Sequence, residues 1–453
     1  MEQIIKANEA VISILGKEKA PAAGCRMLHY CISTPVDGGM LLFNMLTREL
    51  LLLTEEEYAG ALELPYLRKQ WFVVPEETND KQLVGLVRWI QSTMTKESKA
   101  ITGYTILTTT DCNARCFYCY ELGRSRIPMS EETALKTAAF IKKNCGGKEV
   151  RIGWFGGEPL YNARAIDLIC DTLRSEGVSF RSSMISNGYL FDDETVAKAT
   201  DRWNLERVQI TLDGTEAVYN RCKAFIYKEG SAYQVVTGNI ARLLDKGIRV
   251  GVRMNMDFHN AEDLMQLSDE LARLFKGKTG LTAYPHLIFD DKTAWDQRYS
   301  LEKWTRLYEA MHRLEDKLIS LGIYSLMEPR LRKDLPQHHC MADDGSMIVI
   351  TPDGSLGVCE HFSESELIGH IDSPERNKAV IASFRQRCDE IPECATCFFY
   401  PQCHGLKKCP DRIPCIPPER QSARRLVQRA MVNEFRRWQQ DPTASDNEPE
   451  DQD

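Results

Sequence analysis

Three cysteines stand close together in Asp111-Cys112-Asn113-Ala114-Arg115-Cys116-Phe117-Tyr118-Cys119-Tyr120, spaced C-x3-C-x2-C, and no fourth cysteine follows nearby. Thiolates at this spacing can hold three irons of a cubane iron–sulfur cluster; a cluster that only carries electrons usually takes four. An incomplete set leaves one iron open to another ligand, the same difference that separates a catalytic metal from a structural one. Zinc is the alternative for grouped cysteines, and it would want a fourth ligand that this neighbourhood lacks.

Further turns with chemical potential follow. Gly156-Gly157-Glu158-Pro159 joins two glycines, which let backbone approach a ligand closely, to a carboxylate that can accept hydrogen bonds from an ammonium group. Ser186-Asn187-Gly188 and Thr211-Leu212-Asp213-Gly214 end two later apolar runs, and Arg253 precedes Asn255 in another. A guanidinium can pair with a carboxylate through two parallel hydrogen bonds. Asn-Gly and Asp-Gly are also ordinary turn signals, so each segment has a purely structural alternative.

Of sixteen cysteines, eight lie between Cys340 and Cys415. Seven of these form a pattern: Cys340-x13-Gly354-x4-Cys359, then Cys394-x2-Cys397-x5-Cys403, then Cys409 and Cys415. Cys25, Cys31, Cys145, Cys170, Cys222 and Cys388 are isolated and read as small buried apolar residues or bystanders. Two structural zinc sites are the alternative for the seven, since zinc accepts four thiolates equally well. The upstream triad favours iron.

The intervening chain must position these groups. From about residue 101 to 325, apolar β-type runs alternate with helical periodicity. Strands are expected over 101–107, 150–155, 179–185, 207–212, 249–255 and 281–288. The first helix should open at Ser130, a good N-cap, with Glu131 and Glu132 in its first turn, and stop at Gly146-Gly147. Six strand–helix units in series imply an α/β fold with a parallel sheet and right-handed crossovers, suiting an open, partial (β/α)6 barrel. The triad then directly follows the first strand, where such folds build active sites.

The chain ends differ from this core. A hairpin of 25–33 and 39–44 around Pro35-Val36-Asp37-Gly38, a leucine run over 50–53, a helix opened by Thr54 and another over 82–93 are expected at the front. A basic amphipathic helix with Arg424, Arg425, Arg429, Arg436 and Arg437 reads as a solvated face, with peptide or leader contact as the alternative. Residues 441–453, with six acids and two prolines, should be disordered. At 453 residues the chain can bury a full core without disulfide staples. A formal charge of -8 argues against a nucleic-acid surface spread over the whole protein. No apolar run is long enough to span a membrane, and the N-terminus lacks a secretory pattern. A cytoplasmic location is therefore expected, where cysteines serve metals rather than disulfides.

Together these segments resemble the radical S-adenosylmethionine (radical SAM) enzymes. Cys112, Cys116 and Cys119, with the aromatic Tyr118 before the last, fit the family's cluster motif, and Gly156–Pro159 one strand later fits its GGEP turn. The resemblance implies that the open iron binds SAM, that Gly156, Gly157, Glu158 and Pro159 hold its amino group, and that Ser186, Thr211 and Arg253 are candidates for its ribose or carboxylate. SAM would be cleaved to a 5′-deoxyadenosyl radical that takes hydrogen from a substrate. The seven later cysteines resemble the SPASM domain, which carries auxiliary 4Fe–4S clusters. They depart from it in two ways: five residues, not three, separate Cys403 from Cys409, and the extra cysteine that completes the first auxiliary cluster in some members is absent. By that pattern Cys394, Cys397, Cys403 and Cys415 ligate the distal cluster. Cys340, Cys359 and Cys409 leave the nearer one a ligand short, to be filled by His338 or His339 or left open to a substrate thiolate.

The front segment resembles, in pattern rather than motif, the winged-helix-like leader-recognition module of peptide-modifying radical enzymes; a decorating subdomain is the alternative. The expected organisation is that module over 1–95, the barrel over 96–325, the SPASM region over 326–420, the basic helix over 421–440 and the acidic tail over 441–453. The resemblance implies an enzyme that cross-links a ribosomally made precursor peptide, held by its leader, through a Cys thioether. Its cofactors would be SAM and three 4Fe–4S clusters, with an external flavodoxin- or ferredoxin-like electron donor. Carbon–carbon cross-linking, peptide epimerisation and formylglycine formation in sulfatases are alternatives on the same fold. A non-catalytic iron–sulfur scaffold is the alternative from another class.

Overall fold

The computed structural model describes residues 1–16, 24–94, 100–119, 121, 125–288, 300–335, 340–343, 345–361, 364–403, 405–409 and 415–442. Its centre is a nine-stranded sheet. Six of the strands, Gly103–Thr109, Val150–Gly156, Phe180–Ser186, Leu205–Thr211, Arg249–Met256 and Leu281–Leu287, are neighbours in chain order and all parallel. They are the six expected from the sequence, with ends moved by at most two residues. Helices Glu131–Asn144, Ala163–Ser175, Asp193–Asp201, Ala232–Asp245, Ala261–Leu274 and Leu301–Ser320 follow them in turn. The fourth connection holds an additional short helix, Glu216–Lys223.

Local chemistry accounts for these elements. Ser130 Oγ accepts a hydrogen bond from the Thr133 N–H and opens the first helix, and beyond its end Gly146 and Gly147 take φ of 61° and 74°. Along Arg249–Met256 the period-2 alternation buries Val250, Val252, Met254 and Met256, while Arg253 and Asn255 line a cavity on the other face. The same alternation therefore builds the core and presents the site.

The cysteine-rich C-terminal region is continuous with this sheet. Met347–Ile350 pairs in parallel with Gly103–Thr109, and Ser355–Gly357 and Gly369–His370 extend the sheet antiparallel.

At the front, four antiparallel strands lie in the order Glu2–Ile5, Leu50–Leu53, Gly39–Asn44, Cys31–Val36. The hairpin differs from expectation. Its first arm is Cys31–Val36, and Val36 pairs with Gly39 across the two-residue turn Asp37-Gly38. Such a turn matches strand twist, and Pro35 is drawn into a strand at the sheet's edge, where a missing N–H is tolerated. Cys25–Met27 pairs instead with Val73–Pro75. Thr54 opens the next helix with a reciprocal capping box to Glu57, and Asp80–Met94 covers the helix expected over 82–93.

The basic helix, Pro417–Gln440, is not a solvated face. Val427, Ala430, Met431 and Phe435 form a narrow apolar stripe buried in one cluster with Ile32, Leu41 and Phe43 of the front sheet. On another side, Tyr308 donates to Glu419 at 2.5 Å, His312 meets Ser422 at 2.6 Å, and Arg425 pairs with Asp316. The arginines dominate the sequence while the apolar stripe decides the packing. The tail from residue 443 onward lies outside the described residues. Among the described residues no helix is long and apolar enough to cross a membrane.

Met431 is fully buried in this contact. Met431→Ala is expected to destabilise the protein by about 2–5 kcal/mol, read from chemical denaturation; an unchanged midpoint would contradict the packing.

Candidate active site

The first strand ends at Thr109 and passes into the cysteine loop. Asp111 N–H donates to Thr109 Oγ1 at 3.0 Å, and Cys112 N–H donates to Asp111 Oδ1 at 2.8 Å. The end of the second strand then clamps the loop. Gly157 N–H donates to the Thr109 carbonyl at 3.0 Å, and Glu158 N–H donates to the Asp111 carbonyl at 2.9 Å. Only glycine permits this approach: a Cβ on Gly157 would sit 2.4 Å from the Asp111 oxygen, and Gly156 has φ 123°.

Glu158 ties in the third strand. Its buried carboxylate accepts from Ser186 Oγ at 2.9 Å, Asn187 N–H at 2.8 Å and Leu160 N–H at 3.2 Å. Burial pushes its pKa up to about 7, against the lowering effect of those donors. Asn187 Nδ2 in turn donates to Asn113 Oδ1 at 2.6 Å and lies 3.7 Å from the Cys112 sulfur. Three strand ends and the cysteine loop thus form one hydrogen-bonded unit.

A cavity of about 800 Å3 opens over this unit. Cys112, Cys116, Tyr118 and Cys119 line it, with Gly156, Gly157, Ser186, Thr211 and Arg253 at the strand ends. Glu158 and Pro159, expected beside them, do not; Glu158 is fully buried and its oxygens are taken by the three donors above. Arg253 Nε donates to Asn255 Oδ1 at 3.0 Å. Burial, then the charge of Glu158, pushes the Cys112 thiol up to about 12, and burial also raises Cys119. Such thiols are poor nucleophiles and become ligands by yielding their protons to a metal. Among the described residues no three thiol, imidazole or carboxylate groups converge on one point. A cubane needs no such convergence, because each thiolate takes its own iron. Three thiols on one loop, facing a cavity, are a fitting donor set for it.

The seven later cysteines divide into two groups by the charges that reach one another. The Cys397 thiol is raised by burial and also feels Cys415, Cys403 and Cys394. Cys359, pushed up to about 12 by burial and then by Glu360, feels Cys340 and Cys409. Glu360, His361 and Phe399, from these two segments, line the same cavity as the barrel triad. His361 N–H donates toward the Cys359 sulfur at 3.4 Å. His338 and His339 lie outside the described residues.

Two features were not anticipated from sequence. The far wall of the cavity includes Glu419, Ser422, Arg425 and Arg429 of the C-terminal helix. Lys223 is buried against Asp213 and Tyr118 beneath the cysteine loop. Neither has a local sequence signal, because both depend on elements more than 90 residues apart meeting in space.

Residues 106–271 match the model of the radical SAM superfamily. Those residues form a radical SAM domain. The chain is 26% identical over 309 residues to a probable GTP 3′,8-cyclase of Archaeoglobus fulgidus, covering 64% of this chain and 96% of that protein. It is 26% identical over 331 residues to a serine-type anaerobic sulfatase-maturating enzyme of Klebsiella aerogenes, covering 67% and 78%. Among solved structures, anSMEcpe with bound AdoMet matches with a TM-score of 0.57 at 15% identity, covering 74% of this chain and 98% of that one. SuiB of Streptococcus suis bound to S-adenosylmethionine matches with a TM-score of 0.50 at 12% identity, covering 85% and 98%. At these identities the two structures show a shared fold.

In this radical SAM domain the Gly156-Gly157 turn should govern how the cysteine loop is seated. Gly157→Ala must push back the Asp111 backbone. We expect it to lower iron by up to about four atoms per chain, the content of one cubane, after anaerobic reconstitution while far-ultraviolet circular dichroism stays that of wild type. Full iron loading would contradict the clamp.

Proposed function

We propose that this enzyme modifies a ribosomally made precursor peptide, joining a cysteine sulfur of its core to a neighbouring residue as a thioether. The observation that carries the reading is one cavity, bounded by the barrel triad and by Glu360 and His361 beside Cys359. A peptide side chain entering it stands between two cysteine sets. In this reading Cys112, Cys116 and Cys119 hold the SAM-binding 4Fe–4S cluster. Cys394, Cys397, Cys403 and Cys415 hold a distal auxiliary cluster, and Cys340, Cys359 and Cys409 a nearer one with a position open to a substrate thiolate. When bound, cluster and SAM would supply the radical that takes one hydrogen from the substrate; as the carbon–sulfur bond forms, the thiol proton would leave to solvent and the remaining electron to an auxiliary cluster.

The chain's own residues do the rest. Gly156 and Gly157 offer backbone to the SAM amino group, while Glu158 and Pro159 act from behind, bracing that turn. Ser186 and Thr211 offer hydroxyls, Arg253 matches a carboxylate, and Tyr118 presents an aromatic wall. The C-terminal helix closes the far side and limits water at the reacting atoms. The front module, read as winged-helix-like, holds the leader, so that binding energy from a remote segment positions the core. SuiB has been solved bound to precursor peptide SuiA, and anSMEcpe with AdoMet and the Cp18Cys peptide, which supports a peptide as the substrate class. An external flavodoxin- or ferredoxin-like carrier in the cytoplasm supplies electrons.

A second reading, oxidation of a serine or cysteine in a sulfatase, is favoured by the 26% identity to the Klebsiella aerogenes enzyme. The front module ranks it second: the match to SuiB extends over 85% of this chain, against 74% for anSMEcpe.

With SAM and dithionite under anaerobic conditions, the reconstituted enzyme is expected to release 5′-deoxyadenosine, and the Cys112→Ala variant to release none. No product from the wild type would refute the radical reading. Co-expression with a short cysteine-bearing peptide encoded beside the gene should give loss of two hydrogens per link and a cysteine protected from alkylation. The same mass loss with cysteines free would indicate carbon–carbon linkage. Cys359→Ala should retain SAM cleavage and lose the cross-link; a retained cross-link would remove the nearer auxiliary site from the reading.

A further inference from the structure

Beneath the cysteine loop lies a buried charge pair. Lys223 Nζ is 3.2 Å from Asp213 Oδ2, and the two side chains are 5% and 2% exposed. Tyr118, beside Cys119 in the loop, bridges them: its hydroxyl donates to Asp213 Oδ2 at 2.7 Å and accepts from Lys223 Nζ at 2.7 Å. The ammonium also stands over the Tyr219 ring, 6.0 Å from its centroid. Asp213 Oδ1 is buried without a hydrogen-bond partner.

The backbone of the same turn grips the loop from another direction. Lys223 ends its helix, and Ala224 takes the left-handed conformation, φ 44°, which a side chain adopts at a cost. That reversal lets the Lys223 carbonyl accept from Arg115 N–H at 2.9 Å and lets Ile226 N–H donate to the Asn113 carbonyl at 2.9 Å. The loop is therefore held on both sides of Ala114, between Cys112 and Cys116, and again at Tyr118 next to Cys119. All three cysteines are adjacent to a point fixed by one turn.

A buried ion pair adds little net stability compared with an apolar pair, so its presence here asks for another role. A fixed cation in a low-dielectric site acts strongly on nearby charge. Each electron added to a thiolate-bound cluster makes it more negative, and a neighbouring cation favours that state. We propose that Lys223 is a positioning residue that both seats the cysteine loop and, through its ammonium, raises the reduction potential of the cluster bound by Cys112, Cys116 and Cys119. Asp213 holds the ammonium in place and tempers its field. The proposal rests on the radical SAM reading of the triad.

The test is a redox titration of the full-length reconstituted protein, followed by the electron paramagnetic resonance of the reduced cluster. The auxiliary clusters are first removed from the signal by comparison with a Cys112→Ala background. Lys223→Met is expected to shift the midpoint to more negative potential, so that dithionite reduces a smaller fraction. Lys223→Arg, which keeps the charge, should stay close to wild type. Asp213→Asn, which removes the opposing charge, should shift the midpoint the other way. Unchanged midpoints in fully loaded Lys223→Met and Asp213→Asn would overturn the proposal. Shifts of the same sign in both would assign them to a loosened loop and overturn it equally. Should Lys223→Met fail to load, Asp213→Asn measured against Lys223→Arg carries the decision: a more positive midpoint in Asp213→Asn supports the charge role, and coincident midpoints overturn it. A wild type that never develops a cluster signal above the Cys112→Ala background refutes the family reading itself, which keeps the two failures distinct.

Discussion

The site depends on how closely two pieces of backbone meet. The Gly156-Gly157 turn sits against Thr109 and Asp111, with hydrogen bonds of 3.0 Å and 2.9 Å from Gly157 N–H and Glu158 N–H. The parallel pairing of the first two strands brings the two ends to the same edge of the sheet. Absent side chains at two positions let them touch. Everything else follows from that contact: the cysteine loop acquires a fixed floor, and Glu158 is placed to reach the third strand.

Polar groups beneath the cavity are organised to hold rather than to react. Glu158 is surrounded by three donors and yet has its pKa raised by burial, so desolvation outweighs hydrogen bonding there. Lys223 and Asp213 are paired in the same dry layer and share Tyr118. Burying such groups is unfavourable unless each finds a partner. The return is geometric: side chains from separate strand ends can settle in few other arrangements.

The three sequence regions pack against one another. The C-terminal cysteine region continues the barrel sheet through Met347–Ile350. The C-terminal helix starts two residues after Cys415, lines the cavity with Glu419 and Ser422, and buries Met431 and Phe435 against the front sheet. A helix with this many arginines packs so thoroughly because its apolar residues, though few, recur at helical spacing on one side. The helix thereby links the front sheet to the cavity wall, beside direct contacts such as Arg88 to the Tyr400 carbonyl and Arg48 to the Arg332 carbonyl.

Most of the frame was legible in the sequence, because it follows from local periodicity. The six barrel strands, the Ser130 cap, the Gly146-Gly147 stop and the position of the triad after the first strand all reflect patterns spanning a few residues. The motif residues were legible for the same reason, since spacing along one loop or turn is a sequence property. What each motif residue does was not. The Glu158 carboxylate is buried against three donors behind the cavity; the basic helix looked solvated and is a cavity wall; the hairpin register moved because a two-residue Asp37-Gly38 turn fits strand twist better. Lys223 carried no mark at all, although it meets Tyr118 from 105 residues away. Sequence by itself determined which elements form and which chemistry the cysteines can support. Only the tertiary structure decided which side chains face the cavity and which support it from behind, because burial and charge pairing depend on distances between segments that local pattern does not encode.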